Sequence, residues 1–379
     1  MVERGRRRWS CLLEVKTSGA PLKPEQVARY LDMAREHGFD AVLTISNEIT
    51  ATPKESPVAV DRRKAGNRLF HLSWWRVITE AIIQHRFRGI QDPDQAWILG
   101  ELIAYLDHEK SGASGFQDMG DKWVAVRNAA ANGTLRAADP EAREVAELWD
   151  QFIDYLCLGL SQDLGRDVKP VRPRKQTSEA RLDAAVKALA ETGALQGTIR
   201  VPDAVGPITV NADLRTRRLS TSVAVEAPRE GRPLTRVKWI VRQTKRAPGE
   251  LRVDVSFAGA RETSSLLLAE AREYPQRLLS ATDAKRDPRA FNLTLTGSIG
   301  TKRGKGEKSF VLETRKQAVG FYRGIVQDLR AWQPSAPKLP AERDEVPEEP
   351  TAEPPPFSAA DEREAGEAVD PAGARRQNG

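Results

Sequence analysis

Glu14 and Lys16 are the two residues of this sequence best placed to do chemistry. They stand two apart in LLEVKTSG, residues 12–19, among Leu12, Leu13 and Val15. Side chains alternate along a strand, so Glu14 and Lys16 share one face while Leu13 and Val15 share the other. A carboxylate so placed is a ligand for a hard divalent cation such as Mg²⁺, which prefers oxygen donors and retains waters. An ammonium beside it can hold a phosphate oxygen or help orient and deprotonate an attacking water. The bland alternative is a solvated pair of opposite charges on an exposed strand face.

The next residues of interest are Gln26 and Tyr30, four apart and therefore on one face of a helix. KPEQVARYLDMAREHG predicts that helix. Pro24 suits its first turn, Val27, Leu31 and Ala34 form an apolar stripe, and Gly38 ends it. DAVLTIS has the length of a buried strand. RLFHLSWW reads as another strand, with RVITEAIIQHR continuing as a helix. Strands alternating with helices give an α/β pattern. Residues 10–16 and 40–46 should pair side by side and in parallel, because a helical crossover joins them. Further helices are expected at DQAWILGELIAYLDH and REVAELWDQFIDYLCLGLSQDLG, with Trp97, Leu102, Leu106, Trp149, Ile153 and Leu156 in the core. This places a first domain at 1–165.

A strand bearing Glu14-Val15-Lys16, a helix bearing Gln26-x-x-x-Tyr30 and a following buried strand resemble the core of the PD-(D/E)xK nuclease superfamily. The Q-x-x-x-Y helix is similar to that of its RecB-type branch. The resemblance covers about residues 8 to 85. It implies a restriction-endonuclease-like α/β fold and hydrolysis of DNA phosphodiesters with Mg²⁺ or Mn²⁺. It assigns Glu14 as the metal ligand and Lys16 as the catalytic or phosphate-orienting lysine. Gln26 would orient the site or contact DNA, and Tyr30 would buttress it. An ordinary helix surface with a half-buried Tyr is the competing reading of Gln26 and Tyr30. The first domain is also similar to uncharacterised actinobacterial proteins of a stress-response type.

The superfamily places an Asp on the strand before E-x-K. The sole acid preceding Glu14 here is Glu3, and ERGRRRW reads as a charged turn that leaves Glu3 too far away. Two explanations stand: a start codon upstream of Met1, or a degenerate nuclease fold that binds nucleic acid or protein without cutting.

The chain has 379 residues, 40% of them hydrophobic and 30% charged, which suits two domains with tails. Its net charge of +6 is uneven: residues 333–379 hold five Lys/Arg against eleven Asp/Glu. A basic folded part suggests a polyanionic partner, here DNA. Arg6, Arg7 and Arg8 with Arg4 beside Trp9 form one basic patch; Arg62, Arg63 and Lys64 with Arg68 form another. Both suit phosphate contact, and both also read as solvated charge runs. Ser46-Asn47 reads as a turn near the site, and His71, Trp74 and Trp75 as packing residues. Cys11 and Cys157 provide no disulfide framework and four His no zinc site. With no apolar run of spanning length and no signal core, the expected compartment is the cytoplasm. Residues 166–178 read as a basic linker, 179–332 as a smaller α+β domain of unknown role, and 333–379 as a disordered acidic, Pro-rich tail.

Overall fold

The structure is a computed structural model that describes residues 2–334 except 5, 6, 18, 19, 51, 52, 55, 67, 114, 117, 174, 175, 280–285 and 305. For 2–4, 7, 62, 64 and 109 it gives the backbone alone. Residues 1–334 form one compact unit. The tail expected to be disordered lies outside the described residues, apart from its first two positions.

The chain opens with a hairpin in which β1 (Val2–Arg4) pairs antiparallel with β2 (Arg7–Trp9), setting Glu3 opposite Arg8. Then come β3 (Cys11–Val15), α1 (Pro24–Glu36), β4 (Ala41–Ser46), the short α2 (Arg62–Ala65) and β5 (Leu69–Ser73). Strands β3, β4 and β5 lie in that order, all parallel, with Glu14 opposite Thr44 and Thr44 opposite His71. The Asp40 carboxylate accepts hydrogen bonds from the Ser10 backbone N–H at 2.7 Å and its hydroxyl at 3.1 Å, fastening the start of β4 beside that of β3. Pro24 sits in the first turn of α1, whose buried residues Val27, Leu31 and Ala34 pack on Leu12, Val42 and Leu69. Gly38, at φ +71°, turns the chain back into β4 in a conformation that costs other residues steric strain.

The strand expected through Trp75 ends two residues earlier. The Ser73 hydroxyl accepts from the Arg76 N–H and caps α3 (Trp74–Ile83), so both tryptophans belong to the helix. α4 (Pro93–Asp107) packs on α3 through Leu106 and Ile103. Trp97 and Leu102, expected in the core, are 68% and 41% exposed. The helix presents only one narrow flank to α3, and its apolar residues are spread around the axis.

The second half is a seven-stranded antiparallel sheet. Its strands are β6 (Lys169–Pro170), β7 (Ala194–Arg200), β8 (Ile208–Asp213), β9 (Arg218–Glu226), β10 (Arg252–Phe257), β11 (Thr263–Leu267) and β12 (Pro288–Ser298). They run in the order β11-β10-β12-β9-β8-β7-β6, with β12 inserted between β10 and β9. Alternating residues such as Ile208, Val210 and Ala212 are buried.

α5 (Trp123–Ala131), α6 (Pro140–Leu164), α7 (Ser178–Thr192), α8 (Pro233–Gln243), α9 (Leu268–Glu273) and α10 (Phe310–Gly324) complete the unit. The 25-residue α6 is central, packing on α3 as well as on α7 and β7. Every residue of it from Phe152 to Ser161 is buried. Gly197 of β7 lets it approach closely, since a Cβ there would overlap the Ile153 side chain. Segment 166–173 supplies β6 and places Arg172 against α6. The structure therefore has mixed α/β content, with one parallel and one large antiparallel sheet. No described helix is long and apolar enough to cross a membrane.

Phe152 is fully buried among Phe116, Trp149, Tyr155 and Phe310. Phe152→Ala should lower the unfolding free energy by about 3–5 kcal/mol. Trp97→Ala on exposed α4 should change it by no more than about 0.5 kcal/mol. Urea denaturation of both variants checks the assignment of core and surface.

Candidate functional site

The inward face of the three-stranded sheet changes character along its length. Near the strand starts Leu12, Val42 and Leu69 pack beneath α1. Toward the strand ends the same face carries Glu14, Thr44, Ser46, His71 and Ser73, as the period-two alternation and the register require. In open α/β sheets the carboxyl ends of parallel strands are where ligands bind.

Glu14 meets α1 there. The Gln26 side-chain amide donates to Glu14 Oε1 at 2.8 Å and to the Tyr30 hydroxyl oxygen at 3.4 Å. Lys16 Nζ lies 2.7 Å from the same Glu14 oxygen. The side chains of Glu14 and Lys16 are 12% and 24% exposed. Burial by itself would raise the Glu14 carboxyl. The Lys16 ammonium, Tyr30 hydroxyl and Gln26 amide together outweigh it and hold the group below the usual carboxylate range. The backbone of Lys16 is fixed on both sides: its N–H donates to the Ile45 carbonyl at 2.8 Å, and its carbonyl accepts from Trp74 Nε1 at 2.8 Å.

The structure thus brings Glu14, Lys16, Gln26 and Tyr30 into one contiguous group. The opposite face is not a buried one: Leu13 is 55% and Val15 43% exposed. Of the first arginine patch, Arg8 alone has a described side chain. Arg8 is exposed on β2, six residues before Glu14, or about 20 Å of extended chain. Arg7 is on β2 and Arg6 lies outside the described residues. The register of β1 sets Glu3 opposite Arg8. Arg62, Arg63 and Lys64 fall on α2, which packs against α1; Arg63 is exposed, and for Arg62 and Lys64 only the backbone is described.

His71 belongs to this end of the sheet too. Its Nε2 lies 2.8 Å from the Glu48 carbonyl and its Nδ1 2.9 Å from Thr44 Oγ1. A carbonyl only accepts, so Nε2 carries the proton, and in the neutral ring Nδ1 accepts from Thr44. Burial holds His71 below the usual imidazole range, against the opposing pull of Glu48, and so favours this neutral form. Ser46 Oγ bonds the Glu48 carboxylate. Thr44 and Glu48 were not singled out from sequence. The available signal was polar residues at inward positions 44, 46 and 71 of otherwise apolar strands.

Mg²⁺ is usually held through one or two carboxylates plus waters. Among the described residues no group of three or more His, Cys, Asp or Glu is arranged to hold a metal ion. Glu14 offers one carboxylate, with one oxygen already engaged by an ammonium and an amide. One carboxylate is the lower limit of the donor sets that hold Mg²⁺, with waters filling the remaining positions.

Comparison of the chain with protein-family models, curated proteins and solved structures finds no match.

Lys16→Met should move the Glu14 carboxyl upward, because burial then acts with less opposition; carboxyl-carbon NMR titration reads this directly, and an unmoved value would refute the coupling. His71 has a depressed folded pKa, so its contribution to stability is complete above the unfolded value of about 6.5 and is lost as pH falls through the folded value. Stability should decline across that window, and His71→Gln, which keeps a donor for the Glu48 carbonyl, should flatten the decline in pH-dependent denaturation.

Proposed function

We propose that this chain is a nuclease-like protein that acts on the phosphodiester backbone of DNA, with its site at the carboxyl end of β3. The observation that carries this reading is the convergence of Lys16 and Gln26 on one oxygen of Glu14, from a strand and a crossover helix. A generic solvated Glu–Lys pair needs no helix partner and is not drawn into a half-buried setting. In this reading Lys16 binds a phosphate oxygen when DNA displaces it from Glu14. Gln26 and Tyr30 keep the freed carboxylate oriented. Hydrolysis at this place would use Mg²⁺ or Mn²⁺ with Glu14 as a ligand. The cytoplasm suits the reading, since Cys11 and Cys157 are both free thiols.

A second reading, binding of nucleic acid or protein without hydrolysis, is favoured by the shortage of carboxylates around Glu14 among the described residues.

A plasmid nicking assay separates them. The chain, Lys16→Ala and Glu14→Gln are incubated with supercoiled DNA in Mg²⁺, Mn²⁺ or chelator, and binding is followed in parallel. Metal-dependent nicking that falls about 100-fold or more in both variants supports the nuclease, by analogy with the loss of a positioned acid–base group. Binding without nicking under every condition supports the second reading. Binding should weaken with salt at a log–log slope of roughly −0.9 per phosphate contacted, and joint replacement of Arg6, Arg7 and Arg8 by Ala should flatten it. Absence of binding at low salt removes DNA as a partner.

A further inference from the structure

Between Gly231 and Gly249 the sequence holds six Lys or Arg and no Asp or Glu. Most of this stretch is α8, which buries Val237 and Ile240 against the large sheet and Thr244 at its end. At about 100° per residue, Lys238 and Arg242 lie about 40° apart on the side of α8 facing away from those residues, and Lys245 and Arg246 follow in the turn beyond it. All four are exposed. None of them forms an ion pair with a described residue, whereas Arg236, round the helix from them, reaches Asp287 at 3.4 Å.

The last two cations sit in the turn after the helix, and that turn is held in place. One Arg272 nitrogen donates to the carbonyls of Thr244 at 2.8 Å, Lys245 at 3.1 Å and Ala247 at 2.6 Å. These carbonyls would otherwise lack helical partners, and a cation there complements the helix dipole. The backbone that carries Lys245 and Arg246 is therefore held at the end of α8, next to its exposed cations. Packing of α8 on β12, with Trp239 6.4 Å from Phe291, supports the face from below.

We propose that this face of α8 docks on the phosphodiester backbone of duplex DNA. From Lys238 to Arg242 the helical rise is about 6 Å, and Lys245 and Arg246 continue beyond it in the turn. One DNA strand presents a phosphate about every 3.4 Å of helix axis, so the helical part alone covers about two of them and the turn extends the contact. Four exposed cations without an ion pair among the described residues need only release counterions from such a polyanion to bind it. An acidic polypeptide has no fixed charge spacing, and the face offers it little apolar anchorage beyond half-buried Trp239. Single strands are held by aromatic platforms on which bases stack, and Trp239 is alone on this face and leans on the sheet. Duplex RNA is recognised through its 2′-hydroxyls and the shape of its wide minor groove rather than by a row of cations alone. The proposal does not rest on the Glu14 site being catalytic.

The test uses the full chain and a variant combining Lys238→Gln, Arg242→Gln, Lys245→Gln and Arg246→Gln. Fluorescence anisotropy follows a labelled DNA duplex, its single strand and the matching RNA duplex, with polyglutamate as competitor. The expected result is preference for duplex DNA, a dissociation constant at least about tenfold weaker in the variant, and a salt slope shallower by about 2–3 between roughly 50 and 200 mM salt. Circular dichroism should show the variant folded, as exposed substitutions allow. Lys16→Ala should leave the slope difference intact, which keeps this result separate from the fate of the nuclease reading. Equal affinity and slope in chain and variant overturn the proposal. So does tighter binding of single strands, RNA or polyglutamate than of duplex DNA.

Discussion

A carboxylate on a helix buried on all sides must be matched or neutralised, and Asp154 on α6 imposes that demand on the rest of the chain. It is 5% exposed within the fully buried run from Phe152 to Ser161. Arg172 answers it with two parallel bonds of 2.9 and 2.8 Å, and also reaches Asp150 at 3.1 Å. Burial disfavours the Arg172 charge, but the two aspartates outweigh this and keep it firmly protonated. Such a pair adds little net stability over an apolar packing, yet removing one partner costs about 3–5 kcal/mol. Its effect is therefore one of position. It fixes the path of segment 166–173 across α6, and with it the entry of the chain into the large sheet.

The same helix seats the smaller sheet through α3. At the end of that sheet, charge is handled differently. Glu14 is only half enclosed, and its partners are a mobile type of side chain, a lysine, and a neutral amide. His71, by contrast, is sealed and neutral, tying β4 and β5 to the Glu48 turn.

Much of this was legible in the sequence because local signals agreed with the fold. Pro24, the Val27–Leu31–Ala34 stripe and Gly38 bound α1 correctly, and a helical crossover made β3 and β4 parallel. That placed Gln26 over Glu14. The exposure of Leu13, Val15, Trp97 and Leu102 was not legible, because hydrophobicity marks what can be buried, not what finds a partner. The strand end at Ser73 was missed because two β-prone tryptophans outweighed a capping hydroxyl. β11, with the sequence TSSLL, carries almost no alternation and owes its place to β10. The cationic side of α8 was not singled out from sequence; it became visible only once Val237, Ile240 and Thr244 defined the buried side.

The order β10-β12-β9 has a consequence for how the chain is made. β9 is paired on one side by β8 as soon as both exist, but its other neighbour is β12, the last strand of the sheet. Between Glu226 and Pro288 a ribosome must add about 60 residues, which at about 5–20 residues per second takes about 3–12 s. Throughout that interval the nine-residue edge of β9 offers unpaired backbone donors and acceptors. The strand made next, β10, bonds to β12 and not to β9, so it cannot cover that edge in the native way. The nascent protein thus passes through a stage in which its own topology leaves a template for mispairing, and the basic α8, synthesised within that same interval, adds like-charge repulsion between neighbouring unfinished chains.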